Sequence, residues 1–121
     1  MKRVYCAGAY SGDNVIDVLQ NIGKGQRFAA EIFRMGFAVF SPWSDADFVI
    51  KLWNVPKEEL PVSKFYKYSL TWLAVCDIMF VVPGWENSAG TLKEIEIAKE
   101  MGIPIVYGKL TELEKYIEGE N

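Results

Sequence analysis

An α/β domain built on a parallel sheet of four to five strands, covered by helices on both faces, is what this sequence predicts. Three observations carry the expectation. Short apolar runs without polar alternation recur at Arg3 to Ala7, Phe37 to Phe40, Ile78 to Val82 and Ile103 to Tyr107. Segments with apolar residues at helical spacing lie between them, and glycine, proline and small polar residues punctuate the joins. The 121 residues form one domain, 1–121, long enough to bury a core, and 50% hydrophobic content with 24% charged residues fits a compact globular chain.

The chain in order supports this reading. The strand from Arg3 to Ala7 ends in a loop rich in turn residues, Gly8-Ala9-Tyr10-Ser11-Gly12-Asp13-Asn14. Asp13 or Asn14 caps the next helix, in which Val15, Leu19, Ile22, Ala29 and Phe33 recur at helical spacing. Gly23 and Gly25 weaken its middle, and Gly36 ends it. After the strand at Phe37 to Phe40, the stretch from Trp43 to Val62 is irregular and is expected to hold a short helix or two. Excursions of this kind often form lids or binding loops. Ser63 to Val75 reads as a helix, Ile78 to Val82 as a strand, and the helix carrying Glu94 runs to Gly102. A fourth strand, Ile103 to Tyr107, precedes a last helix from Leu110 to Ile117 and a frayed tail, Glu-Gly-Glu-Asn.

Composition excludes several function classes. A net charge of −3 argues against a broad surface for a nucleic-acid polymer or an anionic membrane, though not against a single nucleotide. No apolar run approaches the roughly 20 residues of a membrane span. The chain enters its first strand without a signal-peptide pattern, so a cytoplasmic location is expected. Cys6 and Cys76 form no CxxC and read as small core residues. With no histidine present, Ser-His-Asp and Cys-His nucleophile systems and His-rich zinc sites are excluded, and acid–base work falls to Asp, Glu, Tyr, Lys or Cys.

Parallel sheets bind ligands at the carboxyl ends of their strands, so the loops Gly8 to Asn14 and Pro83 to Gly90 are the expected site walls. Neither contains GxGxxG or GxxxxGK[ST], which weakens a dinucleotide or Walker-type reading. Tyr10 and Trp85 lie in these loops and are the aromatics expected at a ligand. Ser88-Ala89-Gly90-Thr91 opens a helix whose free N–H groups suit a phosphate, with Ser88 adding a hydroxyl and Gly90 allowing close approach. Within that helix, taking ~100° per residue from Thr91, Leu92 and Ile95 fall near ~100° and ~40°, and Ala98, Met101 and Ile97 near ~340°, ~280° and ~240°. Glu94, near ~300°, lies inside this apolar arc. Thr91-x-x-Glu94 is also a capping box, in which Glu94 would bond back to the Thr91 amide, although Ser88 is an equally good cap. If Glu94 faces a site instead, burial raises its pKa while the helix N-terminus lowers it, which leaves nucleophile and general acid both open. Asp45 and Asp47 read as turn or cap residues, and Asp77 as structural.

Three segments together resemble the nucleoside 2-deoxyribosyltransferase superfamily, which includes the 2'-deoxynucleoside 5'-phosphate N-hydrolases. They are Val-Tyr-Cys-Ala-Gly-Ala-Tyr-Ser-Gly from Val4, Tyr68-Ser69-Leu70-Thr71-Trp72-Leu73-Ala74-Val75-Cys76-Asp77, and Ser88-x-Gly-x-x-x-Glu94-x-x-x-Ala98-x-x-x-Gly102. The nearest likeness is to a short bacterial and phage branch with Gly-Trp-Glu-x-Ser-x-Gly. The resemblance implies a flavodoxin-like three-layer sandwich, a homo-oligomer with sites near subunit interfaces, no cofactor, and a small-molecule nucleotide or nucleoside as partner. It places a nucleophilic glutamate on Glu94, which would attack the sugar C1' and expel the base, leaving a glycosyl ester for water or a second base to resolve. At position 88 a serine matches the phosphate-dependent hydrolases, whereas the transferases acting on nucleosides have an aspartate. The loop residues Gly8, Tyr10, Ser11 and Gly12 would hold sugar and base, with Trp85 beside them.

The sequence departs from the pattern at Ser69, where the superfamily has an aspartate that handles protons. Tyr68, Tyr66, Asp45 and Asp47 are the residues left to supply that function. Without acid assistance, cleavage would lose about 10²–10⁴ in rate. A non-catalytic nucleotide-binding module or sensor on the same fold is therefore the alternative expectation. An FMN-binding protein is the third.

Overall fold

The computed structural model describes residues 1–117. Four strands, β1 (Arg3–Ala7), β2 (Ala38–Phe40), β3 (Ile78–Val81) and β4 (Ile105–Tyr107), form one sheet in the order β2-β1-β3-β4. All pairings are parallel, with Val4 opposite Val39 and Ile78, and Phe80 opposite Val106. Four α-helices, α1 (Val15–Arg34), α2 (Ala46–Lys51), α3 (Val62–Leu73) and α4 (Ala89–Glu100), complete a flavodoxin-like three-layer α/β fold. The tail expected to fray, Glu118 to Asn121, lies outside the described residues.

The pleat of the buried strands sorts the core into two halves. Val4, Cys6, Ile78, Phe80 and Val106 face α1, whose Ala29 and Ile32 meet them. Tyr5, Ala7, Met79 and Val81 face the other way, against Leu73 of α3 and Ile95 and Ala98 of α4. Because α1 lies on one face and α3 and α4 on the other, the chain reverses direction across the sheet between β1 and β3. The loops leaving these two strands therefore part and open a crevice at their carboxyl ends.

Both expected helical segments form, with differences in detail. Of the apolar positions at helical spacing in α1, Ile22 and Ala29 meet the core, joined by Gly25, Phe28 and Ile32, while Val15, Leu19 and Phe33 are 73, 62 and 70% exposed. A helix of 20 residues is about 30 Å long, while strands of three to five residues span about 10–17 Å. The first turns of α1 thus overhang the sheet with no strand beneath them. The segment Leu110–Tyr116 is a 3₁₀ helix rather than an α-helix. Leu110, Leu113 and Tyr116, three apart, fall on one face only at about 3.0 residues per turn, and all three pack on the α1 side of the core.

Gly25 has a packing role rather than a weakening one. Trp43 is buried flat against α1, and a Cβ at Gly25 would lie 2.3 Å from its Cε2. The same indole underlies Gly8, where a Cβ would lie 2.9 Å from Trp43 Cζ2, and its Nε1 donates to Ala9 O at 3.0 Å. The indole thereby sets the height of the loop after β1. The irregular stretch after β2 resolves into a 3₁₀ turn (Pro42–Asp45), α2 and a second 3₁₀ turn (Lys57–Glu59). Among the described residues no helix is long and apolar enough to cross a membrane.

Candidate active site

Two adjoining cavities occupy the crevice. The first, of about 670 Å³, lies between the Gly8–Asp13 loop, the first turns of α1 and the Ser88–Thr91 segment. The second, of about 320 Å³, runs beneath Tyr10 towards Trp43, Asp45, Phe65, Tyr66 and Ser69. Gly8, Tyr10, Ser11 and Glu94 line both.

The walls are tied together by hydrogen bonds from α1. Asn21 Nδ2 donates to the Tyr10 and Ser11 carbonyls at 3.3 and 3.1 Å, holding the first loop against the helix. Lys24 Nζ donates to Pro83 O at 2.6 Å and does the same for the loop after β3. That loop turns at Gly84, with φ 94°, through a 3₁₀ turn at Trp85–Asn87 into Ser88.

Ser88 is the N-cap of α4. Its Oγ accepts from the Thr91 amide at 3.3 Å and lies 2.8 Å from the buried Thr91 Oγ1. The capping-box expectation for Thr91 and Glu94 is therefore corrected. Ser88 has taken the cap, which leaves the Glu94 side chain for the cavity. A Cβ at Gly90 would meet no protein atom within 4 Å, so the helix N-terminus is open on that side.

Glu94 Oε2 accepts a hydrogen bond from the Tyr5 hydroxyl across β1 and α4. Burial pushes the Glu94 carboxyl up to about 7, and the Tyr5 bond opposes that rise. Tyr5 is fully buried, and desolvation, together with the Glu94 charge, pushes its phenol far above the usual range. It therefore remains a donor. Ser69, buried on α3, hydrogen-bonds to Tyr5 and lowers its pKa. A line of hydroxyl, phenol and carboxyl thus runs from α3 through β1 to α4. The Tyr5 ring lies in the core, and its hydroxyl reaches Glu94 through the packing of α4 over β1.

The first cavity brings together Gly8, Tyr10, Ser11, Gly12, Ser88, Gly90 and Glu94, and the second adds Ser69. Tyr68 and Trp85 are placed elsewhere. Tyr68 is one residue, about 100° of helix, from Ser69. It stacks outward among Phe40 and Phe48. Trp85 packs against Tyr107 and the α3–α4 side of the core. Asp47 pairs with Lys51 at 3.1 Å on the exposed side of α2.

Two further residues gain a place. Tyr66, whose hydroxyl is buried without a hydrogen-bond partner, lines the second cavity and is raised by burial and by the charges of Glu94 and Glu96. Asp45 occupies the N-cap position of α2 yet makes no capping bond. Its carboxyl lines the second cavity together with Tyr10; burial raises it, and Tyr10 opposes that rise. Burial and the Asp45 charge push Tyr10 up to about 12. Cys6 and Cys76 are buried free thiols, pushed up by burial to about 12 and about 11, and so hold their protons. Among the described residues no group of three or more His, Cys, Asp or Glu could hold a metal ion.

No curated protein matches the sequence. Residues 2–107, which take in all four strands and every cavity-lining residue named above, match the family described as "Domain of unknown function (DUF4406)". The chain belongs to that family.

Proposed function

We propose that the protein cleaves or exchanges the N-glycosidic bond of a 2'-deoxynucleoside or nucleoside 5'-monophosphate, with Glu94 as nucleophile. One observation carries the reading: a single carboxyl, held by a buried tyrosine, stands where a polar cavity with an open helix N-terminus meets a second cavity lined by aromatic residues. The polar cavity suits a sugar phosphate, with the phosphate at the Ser88–Gly90 turn, where free N–H groups and the helix dipole favour an anion. The second cavity, walled by Trp43, Phe65 and Tyr66, suits a planar base. C1' then lies beside Glu94.

Tyr5 fixes one carboxylate oxygen, Oε2, and leaves Oε1 for attack on C1'. The ester so formed is resolved by water or by a second base, with retention at C1'. This chemistry agrees with the resemblance to the nucleoside 2-deoxyribosyltransferase superfamily at Val4 to Gly12, Tyr68 to Asp77 and Ser88 to Gly102. A homo-oligomer belongs to the same reading.

The decisive experiment incubates the protein with each nucleotide and nucleoside and follows free base by chromatography. Mass spectrometry of the same mixtures is expected to show a sugar-phosphate adduct on Glu94. Absence of base from every substrate, or full activity in Glu94→Ala, would refute the proposal. Ser69, a hydroxyl where a proton-handling carboxyl is expected, favours a second reading as a nucleotide-binding module. Tight nucleotide binding by calorimetry with no product would support that reading.

A further inference from the structure

Breaking an N-glycosidic bond places an electron pair on a base nitrogen, and a poor leaving group of this kind needs a proton as it departs. Glu94 cannot supply it while acting as nucleophile. The base cavity has five other side chains with a hydroxyl or carboxyl: Tyr10, Ser11, Tyr66, Ser69 and Asp45. The two serines are alcohols, weaker acids than a phenol. Tyr66 is raised by burial and by two neighbouring carboxylates, and burial holds Tyr10 at about 12. Both phenols are therefore weak acids. Asp45 is the remaining carboxyl.

Asp45 ends the 3₁₀ turn that runs directly into α2, with helical φ −68° and ψ −16°, so its carboxyl is not drawn into a cap. It lines the base cavity, in which Tyr10 also stands.

Resting on the glycosidic reading above, we infer that Asp45 is the general acid–base residue that protonates the departing base. In the first step Glu94 Oε1 bonds to C1', the C1'–N bond breaks with its electron pair on the base nitrogen, and the Asp45 proton passes to that nitrogen. Asp45 is left as a carboxylate that accepts from the Tyr10 phenol. In the second step a water oxygen attacks C1', its proton returns to Asp45, and Glu94 leaves as a carboxylate. The sum is nucleotide plus water giving base plus sugar phosphate, with both carboxyls restored.

The test separates acid catalysis from positioning by changing the leaving group. Wild type, Asp45→Asn, Asp45→Ala and the exposed control Asp47→Asn are assayed on the common 2'-deoxynucleoside 5'-monophosphates. They are assayed again on 4-nitrophenyl 2-deoxyribofuranoside 5-phosphate, whose phenolate leaves without protonation. Asp45→Asn is expected to lose about 10²–10⁴ in base release. The first-turnover burst of nitrophenol should fall far less, although steady turnover slows because water attack still needs Asp45 as base, and Asp47→Asn should match wild type. In Asp45→Ala, added azide, which needs no deprotonation to attack, should restore turnover of the nitrophenyl substrate and yield a glycosyl azide. Full base release by Asp45→Asn overturns the assignment while leaving the glycosidic reading intact. Equal loss of base release and of the nitrophenol burst in a variant with unchanged melting also overturns it, in favour of a positioning role. A wild type that releases neither base nor nitrophenol removes the glycosidic reading and this inference with it.

Discussion

Glu94 shows how a single side chain sets stability against chemistry. The folded protein keeps its proton up to about 7, whereas the unfolded chain releases it near the ordinary 4.5. Between those values the folded state binds more protons, so stability falls as pH rises through the window. Glu94→Gln, isosteric and uncharged, should therefore be more stable than wild type at pH about 8, by up to about 3 kcal/mol. The difference should vanish below pH about 4.5, as urea denaturation at the two pH values would show. Such a gain on removing a buried charge is common at reactive sites. For catalysis, Glu94 must be ionised and Asp45 protonated together, so base release should show a bell-shaped pH profile with the Glu94 limb at about 7. Tyr5→Phe removes the bond that lowers this pKa, and that limb of the pH–rate profile should move upward.

At the level of elements, two glycines on one helix should respond with opposite signs. Gly23 has open space at its Cβ position, so Gly23→Ala should stabilise α1 by about 0.5–1 kcal/mol. Gly25→Ala drives a methyl group into the Trp43 indole and should cost about 1–3 kcal/mol, with thermal melting reading both changes. Because that indole also supports Gly8 and holds Ala9, Gly25→Ala should reduce substrate affinity as well. The cap of α4 allows a cleaner separation of stability from binding. Ser88→Ala should cost about 1 kcal/mol through the lost cap. Ser88→Asp keeps a capping oxygen and near-normal stability, yet its charge opposes a phosphate. Titration calorimetry should show nucleoside 5'-monophosphates losing affinity in Ser88→Asp while the corresponding nucleosides do not.

For the molecule as a whole, the exposed apolar surface is the feature a lone domain leaves unexplained. Ile50, Trp53 and Val62, on the stretch whose Val49 and Val62 line the base cavity, are 66, 83 and 84% exposed. Large apolar side chains left exposed along one segment point to an association surface. The protein is expected to elute as a dimer or larger, and Trp53→Glu with Val62→Glu should shift light-scattering mass towards the 13.7 kDa monomer. Exposed apolar residues on α1 show a limit of sequence reading. Val15, Leu19 and Phe33 show good helical spacing, but spacing reports that a helix has an apolar face, not what covers it.

The order of strands and helices, the carboxyl-edge loops and the cap at Ser88 were legible because each depends on neighbours close in sequence. Apolar runs, turn formers and helix caps act over a few residues. The identity of the nucleophile's partner was not legible. Tyr5 and Glu94 are 89 positions apart, and they meet only because β1 and β3 pair in parallel with α4 packed over Tyr5. In sequence Asp45 reads as a turn or cap residue, and it does end a 3₁₀ turn. That its carboxyl stands on the wall of the second cavity was not legible. Thus the sequence alone determined a parallel α/β domain with a candidate carboxylate at its ligand-binding edge, since local periodicity and turn chemistry suffice for that. Only the tertiary structure decided which hydroxyl holds that carboxylate and which second carboxyl shares its cavity, because those contacts arise from strand register and helix packing between distant segments.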